Sequence, residues 1–149
     1  KALYSPNIFQ GVDSNLLLIA KTGKIGFPSQ NSQTDKIVIR AKDYMAQHKP
    51  FLNPELTIQN FADQLGLNVR ELSLAINKGL EQNFYEFVSE YRILEAIEIL
   101  KNPENNKLTI LEVLYQVGYN SKSSFNKSFK QKTGMTPSGF RNKNQKLAR

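Results

Sequence analysis

Apolar residues recur with the spacing of α-helices along most of the chain, and the pattern is clearest between Thr109 and Arg141. Thr109 and Glu112 have the spacing of a capping box, which marks the start of a helix. Gly118 is placed to end that helix, as a left-handed residue at a helix C-terminus does. The apolar face between them comprises Ile110, Leu111, Val113, Leu114 and Val117.

A second helix is predicted directly after this one. Ser121 is a suitable N-cap, and Phe125 and Phe129 take the inward positions. Two short helices joined by a turn that contains glycine form the helix-turn-helix pattern. An α-helix fits the major groove of DNA, and the outward face carries donors for phosphates and base edges. A solvated basic face is the alternative interpretation of these outward residues, which are Lys122, Ser123, Asn126, Lys127 and Lys130.

The same pattern occurs earlier in the chain. Thr57 and Thr109 lie 52 residues apart, whereas Leu72 and Phe125 lie 53 apart, so the second turn is one residue longer. Two copies indicate two adjacent major-groove segments on one face of DNA, and a helical bundle without DNA contact is the alternative. In the first copy, Thr57 and Asn68 are the expected N-caps, and Glu71 is expected to complete a capping box with Asn68. Gly66 is expected to end the first of its two helices. The residues expected to face outward from the second helix are Arg70, Ser73, Leu74 and Asn77.

A long helix is predicted between the two copies, from the capping box of Asn83 and Glu86 to about Lys101. Arg92 lies within it and is expected either to contact phosphate or to form a salt bridge with a glutamate one turn later. Those glutamates are Glu95 and Glu98, and the expected buried face comprises Phe84, Phe87, Val88, Tyr91, Leu94 and Ile97.

The two ends of the chain are patterned differently. Asp35 is expected to cap a helix that runs to about Lys49, before Pro50. Residues 1–34 read as a connector, because glycines, Pro28 and a polar run interrupt them. The chain begins with Lys1 rather than Met, which favours a piece of a longer protein.

A short final helix is predicted after Gly134. Thr136 is its expected N-cap and Pro137 its first residue. It holds Phe140 and Arg141, and the residues from 142 to 149 are expected to form a frayed basic tail.

The net charge of +7 is concentrated at the end of the chain, since no acidic residue follows Glu112. This distribution is typical of nucleic-acid binding. An acidic membrane surface could also attract it, but a membrane helix needs a larger apolar face than this one offers. The basic residues after Tyr119 are Lys122, Lys127, Lys130, Lys132, Arg141, Lys143, Lys146 and Arg149.

The chain lacks the residues that several classes of function require. Cysteine is absent and His48 is the only histidine, which argues against thiol or histidine catalysis, a disulfide framework and a zinc site. We therefore predict no enzyme, no cofactor and no metal. The rival functions are a helical protein-interaction module that docks an acidic partner, which needs an exposed apolar groove, and an RNA binder, which needs exposed aromatic residues.

The chain from about Asp35 onward resembles the AraC/XylS-type transcription regulators. The matching residues are Val117, Gly118, Tyr119, Ser121, Ser123, Phe125, Phe129, Lys130, Gly134, Thr136, Pro137, Phe140 and Arg141. The resemblance implies an all-α domain over residues 35–149, with about seven helices. Helix-turn-helix units at 57–79 and 109–133 are joined by a linker helix at 83–101. Residues 4–11 also resemble the segment that precedes this domain in membrane-anchored sensor-regulators.

The resemblance implies the DNA-binding domain of a bacterial transcription regulator. Its partners would be duplex DNA, RNA polymerase and a second copy bound through a region outside this sequence. It would work in the cytoplasm or at the cytoplasmic end of a membrane-anchored protein. The expected base contacts are Lys122, Ser123, Asn126, Lys127, Arg70 and Ser73, and the expected phosphate contacts are Lys130, Lys132, Arg141, Lys143 and Arg92.

Two residues depart from the family pattern, and both belong to the first unit. Glu81 stands where a glycine is usual, and Leu74 stands where an arginine is common. The departures affect the expected reading of base pairs by the first unit rather than its fold.

Overall fold

The computed structural model describes residues 32–148, and these form an all-α fold, as predicted. Within that range the helices at Ile58–Leu65 and Val69–Leu80 form the first helix-turn-helix unit, and those at Ile110–Gln116 and Lys122–Thr133 form the second. The helix at Phe84–Lys101 joins the two units. The expectations for residues 1–31 and Arg149 lie outside the described residues. The helices are α1 (Gln33–His48), α2 (Ile58–Leu65), α3 (Val69–Leu80), α4 (Phe84–Lys101), α5 (Ile110–Gln116), α6 (Lys122–Thr133) and α7 (Pro137–Leu147), with 3₁₀ helices at Pro50–Leu52 and Pro103–Lys107.

Hydrogen bonds confirm most of the predicted helix starts. Thr109 and Glu112 form a reciprocal capping box at the start of α5, and Asn83 with Glu86 forms another at the start of α4. Each box satisfies two backbone N–H groups that have no partner within the helix. The single caps predicted at Thr57, Ser121 and Thr136 are also present.

One predicted cap was wrong, and another was right only in part, since Asn68 caps α3 but without Glu71. The helix α1 begins three residues earlier than expected, because the Ser32 hydroxyl, rather than the Asp35 side chain, caps it and accepts a hydrogen bond of 3.1 Å from the Asp35 backbone N–H. Asp35 therefore lies in the first turn, where its negative charge suits the helix dipole, and residues 32–34 belong to the domain rather than to a connector. The Asn68 side chain accepts from the Arg70 N–H at 2.8 Å, in place of the expected capping box with Glu71.

The turns of the two units confirm the internal repeat. Gly66 and Gly118 both have left-handed backbone conformations, with φ values of 62° and 92°. After each glycine the next N–H reaches back to a carbonyl five residues earlier, from Leu67 to Ala62 at 2.9 Å and from Tyr119 to Leu114 at 3.1 Å. These bonds satisfy the last carbonyls of α2 and α5 in the same way.

The core consists of two clusters that share the linker helix α4. The first half of α4 contributes Phe87 and Val88 to the cluster built by α1, α2 and α3. The second half contributes Ile93, Ala96 and Leu100 to the cluster built by α5, α6 and α7. The single buried face predicted for α4 was therefore incomplete, because the helix packs against different partners along its length.

The final helix is longer than predicted. It continues to Leu147, and the Ala148 N–H donates to the Asn144 carbonyl at 3.1 Å. Phe140 packs against the second cluster, with its ring 5.5 Å from that of Phe129. The residues from 142 to 147 are thus helical, which corrects the prediction of a frayed tail.

Helix α3 ends at Glu81, which adopts the left-handed conformation with φ 54° and ψ 32°. This conformation costs a residue with a Cβ atom about 1–2 kcal/mol, whereas glycine adopts it readily. The substitution Glu81→Gly should therefore raise the free energy of unfolding by about 1 kcal/mol. Urea unfolding followed by circular dichroism measures the change.

The matched control is the same substitution at Glu71, an exposed residue in the first turn of the same helix. Glu71→Gly should lower the free energy of unfolding by about 1 kcal/mol, because glycine disfavours a helix interior. Changes of the same sign in both variants would contradict the assignment of strain to Glu81.

Candidate nucleic-acid interface

The second recognition helix, α6, has one buried face and one exposed basic face. Phe125 and Phe129 are fully buried against the second core cluster. The opposite face exposes Lys122, Ser123, Lys127 and Lys130, and Asn126 is half-buried at its edge. Gln131 is also exposed on this face, one turn after Lys127. It was missed in the sequence, although the four-residue spacing of Ser123, Lys127 and Gln131 indicates it.

The start of α6 concentrates positive potential. The Ser121 hydroxyl caps the helix by accepting from the Ser124 N–H at 3.4 Å, and it also lies 3.1 Å from the Ser123 hydroxyl. The uncompensated N–H groups of a helix N-terminus favour negatively charged ligands such as phosphates. Lys122 is the first residue of the helix and is exposed.

The first recognition helix, α3, presents a less polar outward face. Arg70, Leu74 and Asn77 are exposed, and Leu74 exposes 48% of its surface. Ser73 is half-buried, and its hydroxyl accepts a hydrogen bond of 3.3 Å from the Asn77 amide. In the repeat, Leu74 corresponds to Lys127, so the centre of one recognition face is apolar and the centre of the other is charged.

Known proteins similar to this chain also contain helix-turn-helix domains. A family model described as "Helix-turn-helix domain" matches residues 61–143, more than half of the chain. The chain belongs to the AraC/XylS-type helix-turn-helix family. It is a DNA-binding domain of a transcription regulator, and neither its family nor its fold is that of a known enzyme class.

The chain spans about a third of the length of curated relatives such as YdeC and most of the length of several solved domains with the same fold. An uncharacterised HTH-type transcriptional regulator, YdeC of Bacillus subtilis, is 32% identical over 90 residues, which span 60% of this chain and 30% of YdeC. The C-terminal domain of AraT, a response regulator from Geobacillus stearothermophilus, is 29% identical, with TM-score 0.61 over 75% of this chain and 88% of that one.

A solved structure with DNA shows the same fold at lower identity. The DNA-binding domain of AdpA, in complex with a target DNA, is 14% identical and has a TM-score of 0.62. The match covers 74% of this chain and 94% of that one.

Arg92 of this AraC/XylS-type domain is buried rather than displayed to DNA. Only 8% of its surface is exposed. Its Nε donates to the Phe51 carbonyl at 2.7 Å, and its Nη2 donates to the Asn53 carbonyl at 2.8 Å. These bonds contradict both expectations for Arg92, a phosphate contact and a salt bridge with Glu95 or Glu98.

Arg141 is half-buried, and its guanidinium group is held against the domain. Its Nη1 donates to the Leu108 carbonyl at 2.6 Å, and its Nε and Nη2 atoms are also buried. The side chain therefore fastens α7 to the loop before α5. This placement counts against the expectation that Arg141 contacts phosphate.

Lys132 forms an ion pair with Glu90 of the linker helix at 3.0 Å. Burial raises the pKa of Glu90, but hydrogen bonds from Lys132 and Gln82 and the charges of Lys132 and Lys42 hold this pKa below its ordinary value. The carboxylate is thus ionised and engages the Lys132 ammonium group, which counts against Lys132 as a phosphate contact.

Other kinds of site are not evident in the described part of the chain. Residues 32–148 contain no group of three or more side chains placed to hold a metal ion. No helix in this range is long and apolar enough to cross a membrane.

Proposed function

We propose that the domain reads two adjacent major-groove segments of duplex DNA, one with each recognition helix. The observation that carries this proposal is the outward face of α6, where Lys127 and Lys130 are exposed beside the fully buried Phe125 and Phe129. A recognition helix with this arrangement can enter the groove without disturbing its own core. The second copy of the same device in α2 and α3 supports a second groove contact.

The contacts divide into base readers and phosphate binders. Lys130 and Lys143 are exposed and are assigned to phosphates, together with the N-termini of the recognition helices. Lys132 would reach a phosphate only by leaving Glu90. Arg92 and Arg141 are not assigned to phosphates, because their guanidinium groups donate to backbone carbonyls. The base readers assigned are Lys122, Ser123, Asn126 and Lys127 of α6, Arg70 and Ser73 of α3, and Gln131 as an addition.

The distribution of exposed apolar residues favours DNA over a protein-interaction module. Such a module needs a continuous apolar groove. The large apolar residues that are strongly exposed in the described part of the chain are scattered over five helices, and only one pair shares a helix, Leu111 and Tyr115 on α5. The others are Ile39, Leu74, Tyr85 and Leu147.

The wider regulator is also a matter of proposal. We assign RNA polymerase and a second copy of the protein as partners because the domain belongs to a family of transcription regulators. We also propose a cytoplasmic location, because bacterial DNA lies in the cytoplasm. The resemblance of residues 4–11 to membrane-anchored sensor-regulators stays a prediction.

The two units should contribute unequally to specificity. Lys127→Ala and Asn126→Ala should each weaken binding by about 1–3 kcal/mol and relax the preference at particular base pairs. Ser73→Ala should change much less, because its hydroxyl is half-buried and already bonded to Asn77. The measurement is a titration of each variant against a duplex selected from random DNA and against its single-base-pair variants.

Lys36→Ala is the matched control, because Lys36 is an exposed lysine of α1 outside both units. It should weaken binding to all duplexes slightly and equally. The proposal fails if Ser73→Ala relaxes specificity more than Asn126→Ala and Lys127→Ala, since the first unit would then be the main reader.

A further inference from the structure

Through one side chain, Arg92 connects the turn before the first helix-turn-helix unit, whose Phe51 belongs to the first core cluster, with the turn of the second unit. Two of its nitrogen atoms bind the carbonyls of Phe51 and Asn53, which lie in the turn that precedes the first unit. Its guanidinium carbon also lies 5.6 Å from the centre of the Tyr119 ring, which belongs to the turn of the second unit. This distance is within the range of a cation–π contact. Arg92 itself lies on α4, so three parts of the chain meet at this residue.

The turn of the second unit lies close to the backbone of the turn that precedes the first unit. A Cβ atom on Gly118 would lie 2.4 Å from the Phe51 carbonyl oxygen and 3.0 Å from Arg92 Nε. The corresponding glycine of the first unit, Gly66, would meet nothing within 4 Å. The close approach is therefore a property of the second copy alone, and the helix-turn-helix motif by itself does not require it.

Further bonds surround this junction. The Lys49 ammonium group donates to both carboxylate oxygens of Glu95 at 2.9 Å, which joins the end of α1 to α4. The hydroxyl groups of Ser89 and Tyr119 form a buried hydrogen bond between α4 and the second turn. A buried guanidinium is costly unless its donors are satisfied, and here backbone carbonyls accept from it.

We propose that Arg92 is a positioning residue that locks the two units into one rigid body and thereby sets the spacing at which the recognition helices meet DNA. This inference rests on the proposed two-groove reading. Inserting one base pair between the two DNA segments moves them apart by about 3.4 Å and rotates them by roughly 35°. A rigid domain cannot follow this displacement, whereas two loosely connected units can.

The first test uses the protein without DNA. The chain has no cysteine, so spin labels can be attached at Gln64→Cys in the first unit and Gln116→Cys in the second, both exposed. The labelled parent should give one narrow distance distribution, and Arg92→Met should broaden it by several ångströms while both units remain helical. Arg40→Met is the matched control, because Arg40 is exposed on α1, and it should leave the distribution unchanged.

An unchanged narrow distribution in folded Arg92→Met would overturn the proposal. If Arg92→Met does not fold, Arg92→Lys takes its place, since lysine keeps the charge but cannot reach both carbonyls in a fixed fork. Arg92→Lys should also broaden the distribution, and a distribution as narrow as that of the parent would overturn the proposal in the same way.

The second test uses a DNA duplex selected by the parent chain and versions with one base pair inserted between its two segments. The insertion should cost the parent roughly 100-fold in affinity, because the advantage of two linked contacts is lost. Arg92→Met should bind the original duplex more weakly, tolerate the insertion better, and keep the parent's affinity for a duplex with the α6 segment alone.

The two ideas fail in different ways. A parent that binds DNA and tolerates the insertion overturns the rigid junction and leaves the DNA-binding assignment in place. A parent that binds no duplex at low salt overturns the proposed function, and the distance distributions then still decide whether Arg92 locks the units.

Discussion

Raising the salt concentration from 50 to 200 mM should weaken binding of this domain to duplex DNA about a thousandfold, if about six phosphate contacts form. Each contact releases counterions from DNA, so the logarithm of the binding constant falls linearly with the logarithm of the salt concentration. The physical basis is the run of basic residues after Glu112, where the sequence has no acidic residue to compensate them. Fluorescence anisotropy titrations at several salt concentrations measure the slope.

Substitutions to methionine identify which basic residues carry this slope. Lys130→Met and Lys143→Met should each reduce its magnitude by about one, because both side chains are exposed. Lys132→Met should reduce it less, since its ammonium group is paired with Glu90. Arg141→Met is the internal control: it removes a charge held against the Leu108 carbonyl and should leave the slope unchanged.

A flat salt titration, or no binding at low salt, would contradict the DNA-binding assignment. A slope that falls as much for Arg141→Met as for Lys130→Met would contradict the division between displayed and buried charges. The two results can be distinguished, because the first concerns the total number of phosphate contacts and the second concerns which residues make them.

Local rules account for the parts of the fold that could be predicted from the sequence. The capping boxes of Asn83 with Glu86 and of Thr109 with Glu112 need only residues three apart. Gly66 and Gly118 end their helices for a reason that lies in their own backbone geometry. The outward face of α6 follows from the helical spacing of its two buried phenylalanines, so its exposed lysines could also be named from the sequence.

Long-range contacts account for what could not be predicted. Arg92 and Arg141 bind carbonyls that lie 41 and 33 residues before them. Every residue carries a carbonyl, so no side-chain pattern marks these partners. From the sequence alone, a basic residue in such a domain is therefore assigned to a phosphate contact, even where the folded chain bonds it to an internal carbonyl.

The linker helix shows a second limit of pattern reasoning. A single apolar stripe is the signature of a helix that packs on one side. Helix α4 instead contributes Phe87 and Val88 to one core and Ile93, Ala96 and Leu100 to the other. In the sequence of α4, apolar residues occur around the whole circumference of the helix, and this feature indicates that it packs against two cores.

The substitution Phe125→Ala should lower the free energy of unfolding by about 3–5 kcal/mol. The ring is fully buried and lies 5.3 Å from that of Tyr119 and 5.7 Å from that of Phe129. Its loss leaves a cavity in the second core and removes both aromatic contacts. Since whole domains are stable by only about 5–15 kcal/mol, thermal unfolding should shift strongly, and amide exchange should increase most in α5 and α6.

Two matched variants show whether burial causes the effect. Leu72 occupies the corresponding position in the first unit and is also fully buried, so Leu72→Ala should cost about 2–5 kcal/mol and increase exchange most in α2 and α3. Tyr115 on α5 is 57% exposed, and Tyr115→Ala should change stability by only about 0.5 kcal/mol. Unchanged thermal stability in Phe125→Ala would mean that α6 turns another face to the core. Lys127 and Lys130 would then not point away from it, and the assignment of base and phosphate contacts to α6 would fail with them.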